Sequence, residues 1–469
     1  TAALTTAAAG NDMAVVTWYD QSGNSNDATQ GTSANRPKIY DGTTGVVTEG
    51  GKVAIQTNNS QVFEMSTRLT SVQSVFYTLT WDGNSTSQFA SFILADNSTY
   101  DYSGAGGSSN WFNVTYASND VKNGSNFKNG STLFNTKTAN ERSLLSLFHL
   151  NATGRVSRIA HDRTFPGRSI SGTKQEIILY TSDKSSDRTD IEENIGGYYD
   201  IPLAGLLDEN PGAAAAYSLR RLSSTYTGSA IQVQRADNVG GTTDIGFDSY
   251  GELDTTALMT AAQGNDMVVV TWYDQSGNSN DATQTSSGDR PKIYDGTTGV
   301  VTENGKPAID FVDSAEKALK TAQNFTNSDT LTLYGVIEMQ SAAWQAVATL
   351  STASDVRNEV KVRDNRIYNL KGAGSTYYSN IAIPLSQQTL AYAQLTASGG
   401  ELATDGGTAS TTTAAYVQAV TNSAFAIGSR AHTSGESWTG TISEVIMYFG
   451  TPPNRTDIED NINTFYDIY

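Results

Sequence analysis

The chain carries one acidic loop twice. Asp20-Gln21-Ser22-Gly23-Asn24-Ser25-Asn26-Asp27 recurs without change as Asp274 to Asp281. Oxygen-bearing side chains at alternating positions suit a hard cation such as calcium. The same groups suit the hydroxyls of a sugar. Asp20, Asn24, Asn26, Asp27, Asp274, Asn278, Asn280 and Asp281 are therefore the candidate glycan- or ion-binding residues, with calcium the possible cofactor. The spacing departs from an EF-hand, because Gly stands fourth and no Glu stands twelfth. A tight turn whose Asp and Asn side chains bond their own backbone uses the same residue types.

Other reactive groups are sparse. The chain has no Cys, which removes disulfides, thiolate metal sites and thiol nucleophiles together. It has three His, at 149, 161 and 432, and His149 aligns near Gln394 in an internal repeat. No His is shared by the two copies, which argues against Ser/His/Asp catalysis. Glu176 and Glu444 lie in matched apolar strands and read as structural carboxylates that bond backbone. Trp18 and Trp272 fall mid-strand and read as core, while Trp81, Trp111, Trp344 and Trp438 are candidates to line a glycan groove.

The elements that must position these groups come in two sets. Residues 1–55 align with 255–309 without a gap, and 45 of the 55 positions are identical. A second match closes each copy: Gln175 to Tyr180 against Ser443 to Tyr448, then Arg188 to Ile195 against Arg455 to Ile462. The expected organisation is copy one at 1–203, a linker at 204–212 and copy two at 213–469. Copy two opens with Ala213 to Leu222 and runs on to Asp254, a segment of roughly 40 residues with no counterpart in copy one. The chain also starts at Thr1 with no initiator Met or signal peptide. A front segment missing from copy one, and a longer natural chain, are the expectation, since copy one would otherwise keep an unpaired sheet edge.

Apolar runs are short, β-branched or aromatic, and bounded by Gly, Asn, Asp or Ser, which is the strand signature. Val15–Tyr19, Trp111–Tyr116, Val268–Tyr273, Leu331–Met339 and Val445–Phe449 are among the expected strands. Asn304-Gly305 is a hairpin turn signal, with Gly50-Gly51 at the same place in copy one. Helices are expected over Thr255–Ala262 and after Asp187 and Asn454, where Ile191/Ile195 and Ile458/Ile462 repeat at i, i+4. The fold class expected is all-β: tandem two-sheet jelly rolls with short terminal helices. Net charge is −18, from 30 basic and 48 acidic residues, which argues against nucleic acid and anionic lipid as partners. No apolar run is long enough to insert in a membrane.

Gly440 to Tyr448, after Ala426-Ile427-Gly428, resembles the end of a laminin G-like, concanavalin A-like lectin jelly roll. Tyr217 to Arg235, Thr243 to Gly246 and Trp272 to Asn278 resemble the front of the family-54 α-L-arabinofuranosidase catalytic domain. The same strings resemble modules of bacteriophage structural proteins and bacterial surface proteins. The enzyme resemblance implies a retaining glycosidase with a Glu nucleophile in a His-Met-Glu-Ala-Ile-Tyr string and a vicinal Cys pair. Neither string occurs. It also implies an acid Asp after an Ile-Gly-Gly turn. The matching turn is Ile427-Gly428-Ser429-Arg430 in copy two and Ile159-Ala160-His161-Asp162 in copy one.

Intact scaffold strings without catalytic strings favour a non-enzymatic surface protein. The leading expectation is a phage virion decoration or fibre protein, at the virion surface or outside a cell. It would bind host-surface or extracellular glycans weakly and partner other virion or surface structural proteins. An arabinofuranosidase-like glycoside hydrolase is the first alternative. A purely architectural spacer is the second.

Overall fold

The computed structural model describes residues 1–469 except 59, 84–92, 105–109, 133–136, 160–167, 312–316, 323, 328–329, 354–356, 364–365, 372–374, 414–418, 431–435 and 453. The side chains at 357, 363, 366–371, 375–380 and 412 are also outside the description. The chain is all-β with short helices and divides into two units, Thr1–Leu203 and Ala204–Tyr469. Residues 204–212 pack within the second unit. Leu206 and Leu207 are buried, the Leu207 N–H donates to the Leu222 carbonyl, and the Asp208 carboxylate accepts from Ser223 and Ser224.

In the second unit the closing strand Gly440–Phe449 runs antiparallel between the opening strand Ala213–Ser218 and Leu331–Met339. Gln388–Leu395 and Gly400–Thr404 extend that sheet. A second layer runs Val420–Ile427, Gln345–Ser351, Arg357–Arg363, Arg366–Lys371 and Ser375–Ala382. Alternation in these strands decides what lies between the layers. Phe425, Ile427, Val360 and Val362 join Leu333, Ile337, Val445 and Met447 in the main core. On the far side of the first layer, Tyr334, Val336, Ile446 and Tyr448 pack against Ile458, Ile462 and Tyr466 of the terminal helix Arg455–Tyr466. The i, i+4 isoleucines are therefore the helix's buried stripe.

The first unit repeats the plan with an eight-stranded sheet. Gly172–Tyr180 is its closing strand, flanked by Ser74–Trp81 and by Ile55–Thr57. A five-stranded sheet faces it, centred on Phe63–Val72 and Gly154–Ile159. Its core holds Val75, Tyr77, Leu145, Leu147 and Trp111. Trp111–Tyr116 is a turn, not the expected strand. The Asn113 side chain accepts from the Thr115 and Tyr116 N–H groups, so burial of Trp111 comes without a ladder. Asn304 and Gly305 have φ of 46° and 76° and close the expected hairpin between Thr302–Glu303 and Lys306–Pro307.

The repeated front segment holds itself together in the same way in both units. Lys38 bridges Asp12 and Asp41 at 2.9 and 2.8 Å, and Lys292 bridges Asp266 and Asp295 at 2.9 Å each. Arg36 Nε donates to the Gln30 carbonyl and Arg290 Nε to the Gln284 carbonyl, both at 3.0 Å.

Candidate functional site

The expected acidic loops are turns stitched to backbone. Asp274 accepts from the N–H groups of Ser276, Asn280 and Ala216 and from the Ser276 hydroxyl, while Asp281 accepts from the Asp274 N–H. Asn278 donates to the carbonyls of Ala213 and Ala214, and Asn280 to Ala214. In the first unit Asp20 accepts from Ser22 and Asn26, Asp27 from the Asp20 N–H, and Asn24 donates to Ser22. The Asn26 and Ser22 N–H groups hold the Asp20 carboxyl below its ordinary range. Among the described residues no group of three or more His, Cys, Asp or Glu is arranged to hold a metal ion.

A different constellation forms on the outer face of the second unit's second layer. Val360 and Val362 of Arg357–Arg363 point into the core, so Glu359 and Lys361 point to the opposite face. By the same alternation Ala424 and Ala426 point outward and form their own small cluster apart from the core. Thr349 pairs with both Glu359 and Ala426, and its Oγ1 is buried without a hydrogen-bond partner. The floor of this face is therefore small and polar.

Charged groups from three segments converge beside it. Lys361 Nζ lies 3.1 Å from Glu359 and in contact with Glu436. Arg430 reaches Glu359 at 3.2 Å and Glu436 at 2.7 Å. Trp344 sits with its ring centroid 5.5 Å from the Lys361 ammonium. The Glu359 side chain is fully buried, whereas 23% of the Glu436 side chain is exposed. The Ala346 N–H donates to the Glu436 carbonyl, which fixes that segment against Gln345–Ser351. Gly428, at φ 80°, lets the chain turn from Val420–Ile427 into Arg430 close against the Phe311 ring.

Two carboxylates, Glu359 and Glu436, are thus clasped by one ammonium and one guanidinium. Arg430 stands where the resemblance implied an acid, and it serves here as a clamp on two acids. Sequence reading missed Glu359, Lys361 and Glu436. The odd-numbered charges of Arg357-Asn358-Glu359-Val360-Lys361-Val362-Arg363 were the available signal, a strand with one polar face. In the first unit Arg158 aligns with Ala426 and pairs with Glu64 at 3.0 Å, so an arginine occupies that part of the floor. Ala160, His161 and Asp162 lie outside the described residues, as does His432.

A second carboxylate group belongs to the helix-covered side. Burial pushes Glu338 and Glu303 above the ordinary range, and nearby acidic charge adds to both shifts. Glu338 Oε2 is buried without a hydrogen-bond partner. Glu444 is structural, but its partners are side chains rather than the expected backbone: it accepts from Arg220 Nε and Nη2 and from the Ser218 hydroxyl.

Comparison with known proteins finds a family-model match inside the second unit. The family model "Alpha-L-arabinofuranosidase B, catalytic" matches residues 207–325. The α-L-arabinofuranosidase B of Emericella nidulans is 37% identical over 106 residues, which is 21% of this chain and 21% of that protein. The matched stretch thus spans about a fifth of the curated relative. A crystal structure of arabinofuranosidase complexed with arabinofuranosyl-alpha-1,2-xylobiose is 20% identical, with a TM-score of 0.43, over 54% of this chain and 62% of that one. A pentraxin from Limulus polyphemus is 14% identical, with a TM-score of 0.29, over 34% and 82%.

These matches correct the leading sequence expectation. A non-enzymatic virion decoration or fibre protein is overturned by the match to a catalytic-domain model and to a curated arabinofuranosidase. The phage, capsid and fibre setting falls with it, and so do virion or surface structural proteins as partners. That expectation rested on the absence of the family's catalytic strings, whereas the matches rest on the scaffold of residues 207–325. The carboxylates that the fold brings together here are 77 positions apart, at 359 and 436. Among the described residues no helix is long and apolar enough to cross a membrane.

Proposed function

We propose that the second unit is a glycoside hydrolase acting on arabinofuranosyl groups, working outside the cell on polymeric substrate. The observation that carries this reading is the match of residues 207–325 to an arabinofuranosidase catalytic model, in the unit that also holds the Glu359/Glu436 pair. The residues beside the pair at 349, 424 and 426 are small, and Trp344 offers an apolar face near Lys361. Glu359, held between Lys361 and Arg430, is assigned as the carboxylate that attacks the anomeric carbon. Glu436, the more exposed of the two, is the carboxyl within reach of the leaving oxygen and of water. Arg430 and Lys361 hold both in register.

The test is release of 4-nitrophenol from an aryl α-L-arabinofuranoside by the full chain. Glu359→Gln and Glu436→Gln are expected to lower turnover by about 10² to 10⁴-fold each, the usual worth of a positioned carboxyl. A folded chain without turnover, or either variant at the parent rate, defeats the assignment.

A further inference from the structure

On the helix-covered side of the second unit the sheet carries a row of oxygen atoms. Alternation along Leu331–Met339 sends Leu333, Ile337 and Met339 into the main core and Tyr334 and Val336 toward the terminal helix. Glu338 therefore points to the helix side. Residues directly opposite in neighbouring strands share a face. Glu338 stands opposite Gln388 on one flank and Thr441 on the other, and Thr441 stands opposite Asp310. Asp310, Thr441, Glu338 and Gln388 thus form one row across four strands. Glu303 brings a further carboxyl from the hairpin Thr302–Glu303/Lys306–Pro307; burial raises it first, and the Glu338 charge next.

The row lacks a positive partner. Glu338 is 3% exposed and Gln388 4%, and Glu338 Oε2 and Gln388 Oε1 are both buried without a hydrogen-bond partner. The Gln388 amide N–H donates to Ser443 Oγ at 3.4 Å. Lys292, opposite Asp310, holds Asp266 and Asp295, and Lys306, opposite Glu303, holds Glu252. Among the described residues no lysine or arginine pairs with Glu303 or Glu338. Buried acceptors that meet only one another are costly.

The first unit fills the same row differently. By the same register Gln56, Thr173, Thr80 and Arg142 take the places of Asp310, Thr441, Glu338 and Gln388, and Glu49 takes that of Glu303. The Thr173 hydroxyl donates to Glu49 at 2.8 Å, so the hairpin acid does reach the row. The Arg142 guanidinium lies beside that acid, where a side chain on Gly50 would run into it, and donates to the Tyr199 carbonyl at 2.8 Å. In the second unit Asn304 replaces Gly50 and donates to the matching carbonyls of Tyr466 and Asp467. One copy has a resident guanidinium and one acid. The other has three acids and neutral side chains where the guanidinium stood.

We propose that this row of the second unit binds a divalent cation, calcium, in the place that Arg142 takes in the first. The ligands are the carboxylates of Glu303 and Glu338 and the amide oxygen of Gln388, with Asp310 adding charge. Carboxylate and amide oxygens are the donors calcium takes, and water completes its shell. The site lies on the opposite side of the sandwich from Glu359 and Glu436, and the ion ties the hairpin to the sheet.

The probe is calcium chloride, titrated calorimetrically into the full chain after EDTA treatment and exchange into calcium-free buffer. One ion per chain is expected. At a hundredfold excess over the dissociation constant the second unit's melting transition should rise by about 5 °C, and the first unit's should stay. Glu338→Gln, close to isosteric, should lose both the heat and the shift. Gln388→Arg with Asn304→Gly copies the first unit's arrangement. That double variant should ignore calcium and melt above the parent chain in EDTA, and it carries the test should Glu338→Gln fail to fold. No heat and no shift in the parent overturns the proposal. Calcium binding that persists in the variants overturns it as well, by placing the ion elsewhere.

Discussion

Replacing Arg220 by Met asks how much the opening strand depends on its terminal ion pair. The Glu444 side chain is 1% exposed and that of Arg220 10%, so the pair is screened little by water. Met fills much of the same length, and the loss is therefore electrostatic rather than a cavity. Glu444 keeps the Ser218 hydroxyl at 2.7 Å and the Tyr466 hydroxyl at 3.3 Å, but loses both charged bonds. Stranding a buried charge in this way costs about 3–5 kcal/mol. For a unit of this size that lowers the melting temperature by roughly 10 °C. Glu444→Gln in the Arg220→Met background should restore most of the loss, because no lone charge then remains. Calorimetry of the full chain reads the second unit's transition in all four members of the cycle. A loss under about 1 kcal/mol for Arg220→Met, or strict additivity in the double variant, refutes the reasoning, since a fully screened pair is worth no more than that.

Lys174 gives the first unit a pH signature. Its ammonium donates to Thr57 and to the carbonyls of Ile170 and Gly172, but full burial pulls its pKa down to about 7 from 10.5. Between those values the unfolded chain holds a proton that the folded unit does not, so stability rises with pH by up to about 1.4 kcal/mol per unit. Denaturation midpoints of the first unit from pH 6 to 10 should show that rise, and Lys174→Met should flatten it; an unchanged slope in the variant counts against it. Gly440 and Gly172 are matched positions at φ 142° and 118°. A methyl at Gly440 would run into the Glu338 carbonyl, and one at Gly172 into that of Thr80. Each Gly→Ala change should cost about 2 kcal/mol or more in its own unit's melting transition, and a neutral result at either site would show that the strands can shift apart.

What the sequence made legible follows from period and repetition. The closing helices were readable because Ile191/Ile195 and Ile458/Ile462 mark a single buried stripe. The Asn304-Gly305 hairpin was readable because only such residues accept two successive left-handed positions. The loops at Asp20 and Asp274 were readable as special but not as to purpose. The outside partners of the Asp274 loop, the backbone of Ala213 to Leu222, are generic groups that leave no mark in side-chain letters. The Glu359, Lys361, Arg430 and Glu436 cluster was not legible either. Charged letters read as solvated surface, and nothing local shows that a strand's polar face is buried and that residues some 70 positions apart meet there.

The self-contained bonding of the front segment has a practical consequence for recombination. Its lysine pairs with two aspartates and its arginine bonds a glutamine carbonyl, all inside a stretch of 55 residues. Such a stretch behaves as a cassette. Transplanting residues 1–55 over 255–309 would carry its internal ties along and still offer the opening strand the same Asp, Gln and Asn handholds. Gene shuffling between the two halves can therefore splice at that seam without unravelling either sandwich.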